Sequence, residues 1–103
     1  MAVPAYDELL NPLLKAFHEL GGSASIAELE ERVAQILSLS PQDIEEPHNE
    51  SISKLSYRLA WGRTYLKRYG LLENSSRGVW ALTAEGQKTK DVNKESVKRK
   101  VQA

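Results

Sequence analysis

The chain has 103 residues, 41% of them hydrophobic, no cysteine, two histidines and equal numbers of basic and acidic side chains, 14 each. That length fits one domain with a modest core, and the lack of cysteine excludes disulfides and thiolate metal sites and makes a reducing, cytoplasmic setting the expectation. No apolar run reaches bilayer length, the start MAVPAYDE has no signal-peptide pattern, and the neutral total hides a split: residues 1–50 carry two basic and ten acidic side chains, residues 51–103 twelve and four, or −8 against +8.

Leu9, Leu10, Leu13, Leu14, Phe17 and Leu20 recur at helical spacing, and Gly21-Gly22 closes the run. Pro12 interrupts it. Either Asn11 caps a helix beginning at Pro12, or a turn from Tyr6 leads in with a local distortion, which is the reading favoured here. Ser25 and Glu28 stand at capping-box spacing ahead of a stripe of Ile26, Leu29, Val33, Ile36 and Leu37, predicting a second helix. Ser40-Pro41 suits a short helical turn through Ile44, and the polar EEPHNES that follows reads as a loop.

From Ser51 or Ser53 a longer helix is predicted to reach Tyr69, with Gly70 ending it. At 100° per residue, Leu55, Leu59, Gly62, Leu66 and Tyr69 share its inner side, while Lys54, Tyr57, Trp61, Thr64, Lys67 and Arg68 fall outside or on the flanks. Residues 71–73 and 79–82 read as paired strands around a turn over residues 74–78, and Thr83 with Glu85 suits the cap of a last helix, against which Gly86 counts. After Gln87 the chain is basic and sparsely apolar, so residues 88–103 are expected to be a basic tail or linker beyond a domain of residues 1–87. The predicted class is mainly α with a small β-hairpin (α+β): a winged helix-turn-helix of three helices and a two- or three-stranded wing.

A basic amphipathic helix running into a hairpin is the order a winged helix needs to set one helix in a DNA groove and the hairpin against the backbone beside it. Lys54, Arg58, Lys67 and Arg68 are candidate phosphate contacts, and Arg63, near the core stripe, can reach phosphate or a base edge. Tyr57 and Trp61 share that outer face, Trp61 either packing against the wing or touching a partner, and Arg77 beside Gly78 at the hairpin tip suits a minor groove or a phosphate. Trp80, Tyr6 and Tyr69 read as packing residues, and His18 as an ordinary helix residue. His48 lies among Glu45, Glu46 and Glu50, a set better read as a solvated loop than as a cation site. No catalytic arrangement, cofactor motif or metal-ligand spacing stands out, so a non-enzymatic module is expected.

Three segments, VPAYDELLNPLLKAF, RLAWGRTYLKRYGLLE and SSRGVWALTAEG, in that order, resemble the N-terminal domain of Mrr-type restriction system proteins over Val3 to Gly86. The resemblance implies a winged helix that delivers DNA binding, followed by a separate PD-(D/E)XK nuclease domain that cuts DNA, generally DNA with methylated bases. The family's helix and wing positions match Arg58, Trp61, Arg63, Thr64, Lys67, Arg77 and Trp80, and no catalytic residue carries over. The expected activity is duplex DNA binding by a cytoplasmic monomer or weak dimer, as the targeting module of a modification-dependent restriction system, with a nuclease domain as partner in a longer protein. Two alternatives are a winged helix used for protein contact or dimerisation, anchored by Tyr57 and Trp61, and a stand-alone transcription regulator.

Overall fold

The computed structural model describes residues 3–103. Tyr6–Leu9 form a 3-10 turn that runs straight into α1, Leu10–Glu19, the distorted lead-in expected from Tyr6. Pro12 sits in the first turn of α1, where a missing N–H removes a donor that a helix start leaves unpaired anyway. Gly22, at φ +94°, ends the helix by donating its N–H to the Phe17 carbonyl at 2.7 Å.

Strand β1, Ser23–Ser25, follows at once, too short to carry an alternating pattern that a sequence reading can detect. Ser25 ends β1 and also caps α2, Ile26–Ile36: its Oγ accepts from the Glu28 N–H at 3.1 Å, and Glu28 Oε1 accepts from the Ser25 N–H at 2.8 Å. The same device at Ser40 and Asp43 starts α3, Pro41–Glu45. A polar loop then leads to α4, Lys54–Tyr69, capped by Ser53 and stopped by Gly70 at φ +104°.

Strands β2, Leu72–Ser76, and β3, Val79–Leu82, form the hairpin, and β1 adds to the far side of β3, giving an antiparallel sheet of order β1-β3-β2. The turn is shorter than the expected residues 74–78. Asn74 Nδ2 donates to the Val79 carbonyl at 2.7 Å and the Ser76 carbonyl at 2.8 Å, which sustains a bulge and carries β2 on to Ser76. Thr83 caps α5, Ala84–Lys88, despite Gly86. The result is a mainly helical α+β arrangement compatible with a winged-helix-like fold.

Leu9, Leu10, Leu13, Leu14 and Phe17 meet Leu29 and Val33 of α2 and Leu55, Leu59 and Leu66 of α4 in one core, which Leu72 and Leu82 close from the sheet. Gly62 faces α1, where a Cβ would stand in ordinary contact with Leu13 Cδ2 at 3.4 Å.

The segment after Gln87 departs from the expected solvated tail. Lys94–Gln102 form α6, with Val97 fully buried and Val92 and Val101 packed on the core. Asn11 clasps the Val92 backbone by accepting from its N–H at 2.7 Å and donating to its carbonyl at 3.0 Å, and the His18 ring bonds the Thr89 carbonyl at 2.8 Å. Lys98 donates to Asp7 at 3.1 Å and Lys94 to Glu8. Three valines at four- to five-residue spacing suffice because α6 adds to an existing core and need not build one.

Candidate nucleic-acid interface

Helix α4 has four sides. Leu55, Leu59, Gly62 and Leu66 point into the core. Nearly opposite, at about 100° per residue, stand Tyr57, Thr64 and Arg68, with Trp61 and Ala60 beside them. One flank meets the N-terminal segment and α6: Arg58 Nη1 donates to the Val3 carbonyl at 2.5 Å and the Pro4 carbonyl at 3.3 Å, and the Tyr65 hydroxyl accepts from Gln102 at 2.9 Å. The other flank meets α2 and the hairpin: the Ser56 hydroxyl donates to Glu30 at 2.8 Å, while Arg63 and Lys67 lie over the Trp80 ring, 5.5 and 5.7 Å from its centroid.

The sequence-derived site therefore divides. Lys67, Arg68 and Arg77 are exposed cations with no acidic partner among the described residues, and Gly78 at φ +73° shapes the turn that presents Arg77. Thr64 is partly exposed, its hydroxyl turned back to the Ala60 carbonyl at 3.0 Å. Tyr57 and Trp61 are among the most exposed large hydrophobic side chains described, at 37% and 44%.

Three cations are placed otherwise. Lys54 pairs with Glu46 at 3.5 Å, and Arg58 is tied to the two carbonyls. Arg63 is buried, at 7% exposure, because its position at the edge of the core stripe turns it inward under the hairpin. Burial pushes its guanidinium below the ordinary arginine range, and the charge of Glu30 opposes that shift. Trp80 is partly buried, packed against the hydrophobic cluster and not part of it, and its ring also lies by the two cations.

Sequence reasoning missed an aromatic set around this face. His48 stacks on Tyr57, centroids 3.7 Å apart and planes 10° off parallel, so the loop histidine belongs to the outer surface of α4. Tyr65 lies edge-on to Trp61 at 6.4 Å and tilted against Tyr6 at 4.9 Å. Together Ala5, Tyr6, Tyr57, Arg58, Trp61 and Tyr65 line an open depression of about 430 Å³. The signal was present: aromatic residues at 57, 61 and 65 repeat every four residues and make a stripe on any helix. His48 had no such signal, since a loop has no period. Among the described residues no group of three or more His, Cys, Asp or Glu side chains is placed to hold a metal ion, and no helix is long and apolar enough to cross a membrane.

A family model described as the Mrr N-terminal domain matches residues 6–91. The chain belongs to the Mrr N-terminal domain family. That span runs from the 3-10 turn through α5 and takes in the outer face of α4 and the hairpin, while α6 lies beyond it. The chain is also 33% identical over 88 residues to the type IV methyl-directed restriction enzyme EcoKMrr of Escherichia coli (strain K12), a match covering 84% of this chain and 28% of that protein. The chain thus corresponds to well under two thirds of this relative's length. No solved structure matches the chain.

Proposed function

We propose that this Mrr N-terminal domain binds duplex DNA through the outer face of α4 and the hairpin, as the targeting module of a restriction system directed at modified DNA. The observation that carries the reading is the continuity of Tyr57, Trp61, Thr64, Lys67 and Arg68 on one helix side with the arginine of the hairpin turn, in a chain related to a methyl-directed restriction enzyme. Lys67, Arg68 and Arg77 supply phosphate contacts, which set affinity and register without reading sequence. Thr64 and Trp61 face bases in the major groove, where a ring or a methyl group meets the methyl that thymine or a methylated base presents. Lys54 and Arg58 support this face from its flank, Lys54 through the Glu46 pair and Arg58 by fixing the N-terminal segment. In this reading cleavage belongs to a separate nuclease domain of a longer protein.

The depression beside Trp61 favours a second reading, in which the rings of Tyr57, Trp61 and Tyr65 anchor a protein partner. Salt separates the two. Phosphate-driven binding weakens linearly in log–log form as salt rises, whereas an aromatic interface responds little. The test is fluorescence anisotropy on methylated and unmethylated duplexes across a salt series, with Lys67→Ala, Arg68→Ala and Arg77→Ala singly and combined. Each phosphate contact removed should lower the salt slope by about one unit. An unchanged slope in the triple variant would remove this face as the DNA-binding surface.

A further inference from the structure

Arg63 is the one charged residue buried among those described, and it is buried incompletely matched. Its Nε and Nη1 are sealed from solvent and make no hydrogen bond, whereas Nη2 is not among the sealed atoms. The acid nearest in effect, Glu30, accepts the Ser56 hydroxyl and forms no ion pair with Arg63 among the described residues. A guanidinium out of water with open donors is held at a cost that the negative face of Trp80 offsets only in part. Lys67, one turn further along α4, brings a second cation to the same ring. Two cations at one indole, neither with an acidic partner among the described residues, make an arrangement that an oxyanion completes.

We propose that Arg63, Lys67 and Trp80 form an oxyanion site for a phosphate group where α4 meets the hairpin, reached at Arg63 through Nη2, the guanidinium nitrogen that is not sealed. A phosphate matches this set better than a single carboxylate, because its several oxygens can accept from Arg63 Nη2 and from the lysine ammonium together. Two sources share that chemistry, a free phosphate and a backbone phosphate of a duplex. The assignment to a duplex phosphate rests on the DNA-binding reading, since Lys67 borders the outer face that carries Thr64 and Arg68. Arg63 then contacts backbone and reads no base, and the phosphate it holds also fixes the angle of the hairpin through Trp80.

The chain contains two tryptophans, Trp61 and Trp80, so Trp61→Phe leaves Trp80 as the only indole and makes its emission a reporter of the site. That variant is titrated with inorganic phosphate at constant ionic strength, with chloride as the balancing anion. A saturable change in Trp80 emission is expected, weakened about tenfold by Lys67→Met and by Arg63→Met, the scale of one charge-assisted hydrogen bond. Lys67 is exposed, so its variant keeps the fold. Should Arg63→Met fail to fold, Arg63→Lys keeps the charge, loses the fork, and is expected to weaken phosphate binding as well. Duplex affinity is compared separately with Trp61 in place. A silent Trp80 in the phosphate titration overturns the site even when the duplex binds. Phosphate binding that depends on Arg63 and Lys67, in a protein that binds no duplex, retains the oxyanion site and rejects the duplex as its source. Duplex binding whose salt slope is the same with and without Arg63 likewise rejects that source.

Discussion

Gly86→Ala tests whether the root of the hairpin is as tightly built as its geometry implies. A Cβ at position 86 lies 2.2 Å from the Leu71 carbonyl oxygen and 3.1 Å from Leu82 Cδ2, where ordinary contact begins at 3.4 Å. The obstacle is backbone, so α5 must retreat by about 1 Å. Retreat strains the bonds that seat α5: the Thr83 N–H to the Leu71 carbonyl at 3.0 Å, and the Thr83 hydroxyl to the Gly70 carbonyl at 2.7 Å. Overpacking of this kind costs about 1–3 kcal/mol and each weakened hydrogen bond up to about 1 kcal/mol, against a gain of about 1 kcal/mol from alanine's helix propensity. The expected net loss is about 2 kcal/mol, equivalent to a fall in Tm of roughly 10 °C in a domain of this size. Urea denaturation followed by circular dichroism, with a thermal scan alongside, measures it. An alanine variant as stable as the parent, or more so, refutes the close approach of α5 to the end of α4.

Trp61→Ala, at an exposed ring, should change stability by no more than about 1 kcal/mol in chemical denaturation yet impair discrimination between methylated and unmethylated duplexes; unfolding, or binding equal to the parent's, reassigns Trp61 to packing. Trp80→Ala is expected to destabilise by less than the 3–5 kcal/mol of a fully buried tryptophan, because the side chain is only partly buried, and a loss in that full range would place it in the core after all. Burial pushes the Asp7 carboxyl up, but the hydrogen bond and charge of Lys98, with the charge of Lys94, bring it to a net value below the ordinary carboxylate range. A lowered folded pKa contributes stability present above the unfolded value of about 4 and lost as pH falls through the folded value, so acid should loosen α6, and Asp7→Asn should flatten that limb of a pH–stability curve. Lys94 and Lys98 are raised, first by their bonds to Glu8 and Asp7, so their contribution holds below the unfolded lysine value and is lost as pH climbs through the folded one.

The helices were legible because each start and stop is written locally. Ser25 with Glu28, Ser40 with Asp43, and Ser53 supply caps within a few residues of the apolar stripes they begin, and Gly22 and Gly70 terminate runs at positive φ. What escaped depends on contacts distant in sequence. Strand β1 exists because β3, more than fifty residues on, supplies its partner. Helix α6 is polar on average, with Val97 and Val101 as its only large apolar positions, and the segment that carries it is fixed by Asn11, Asp7 and Glu8 at the opposite end of the chain. The same reason misplaced Arg63 and Trp80. A helical wheel puts Arg63 at the border of the core, but which side of that border it takes is decided by the hairpin that returns over it.

Charge shows how far a composition argument reaches. The +8 of residues 51–103 suggests a broad positive surface, yet Lys54, Lys94 and Lys98 are paired with acids, Arg58 with carbonyls, and Arg63 is buried. Part of the opposition between the two halves is therefore taken up by partly exposed ion pairs, two of which hold α6 to the acidic N-terminal turn. Three cations remain on the outer side of α4 and the hairpin tip, Lys67, Arg68 and Arg77. On the proposed binding face these three phosphate contacts, with Arg63 as a fourth, imply a salt slope of about −3.6, far shallower than twelve basic residues suggest, and at physiological salt that electrostatic term alone gives weak, sequence-blind binding. Useful recognition must then come from uncharged contacts, and the side chains positioned for them are the aromatic rings and Thr64 of the same helix face. For the proposed targeting of methylated DNA this division has a physical logic: a methyl adds no charge and no hydrogen bond, so only apolar contact against a closely placed surface can register it.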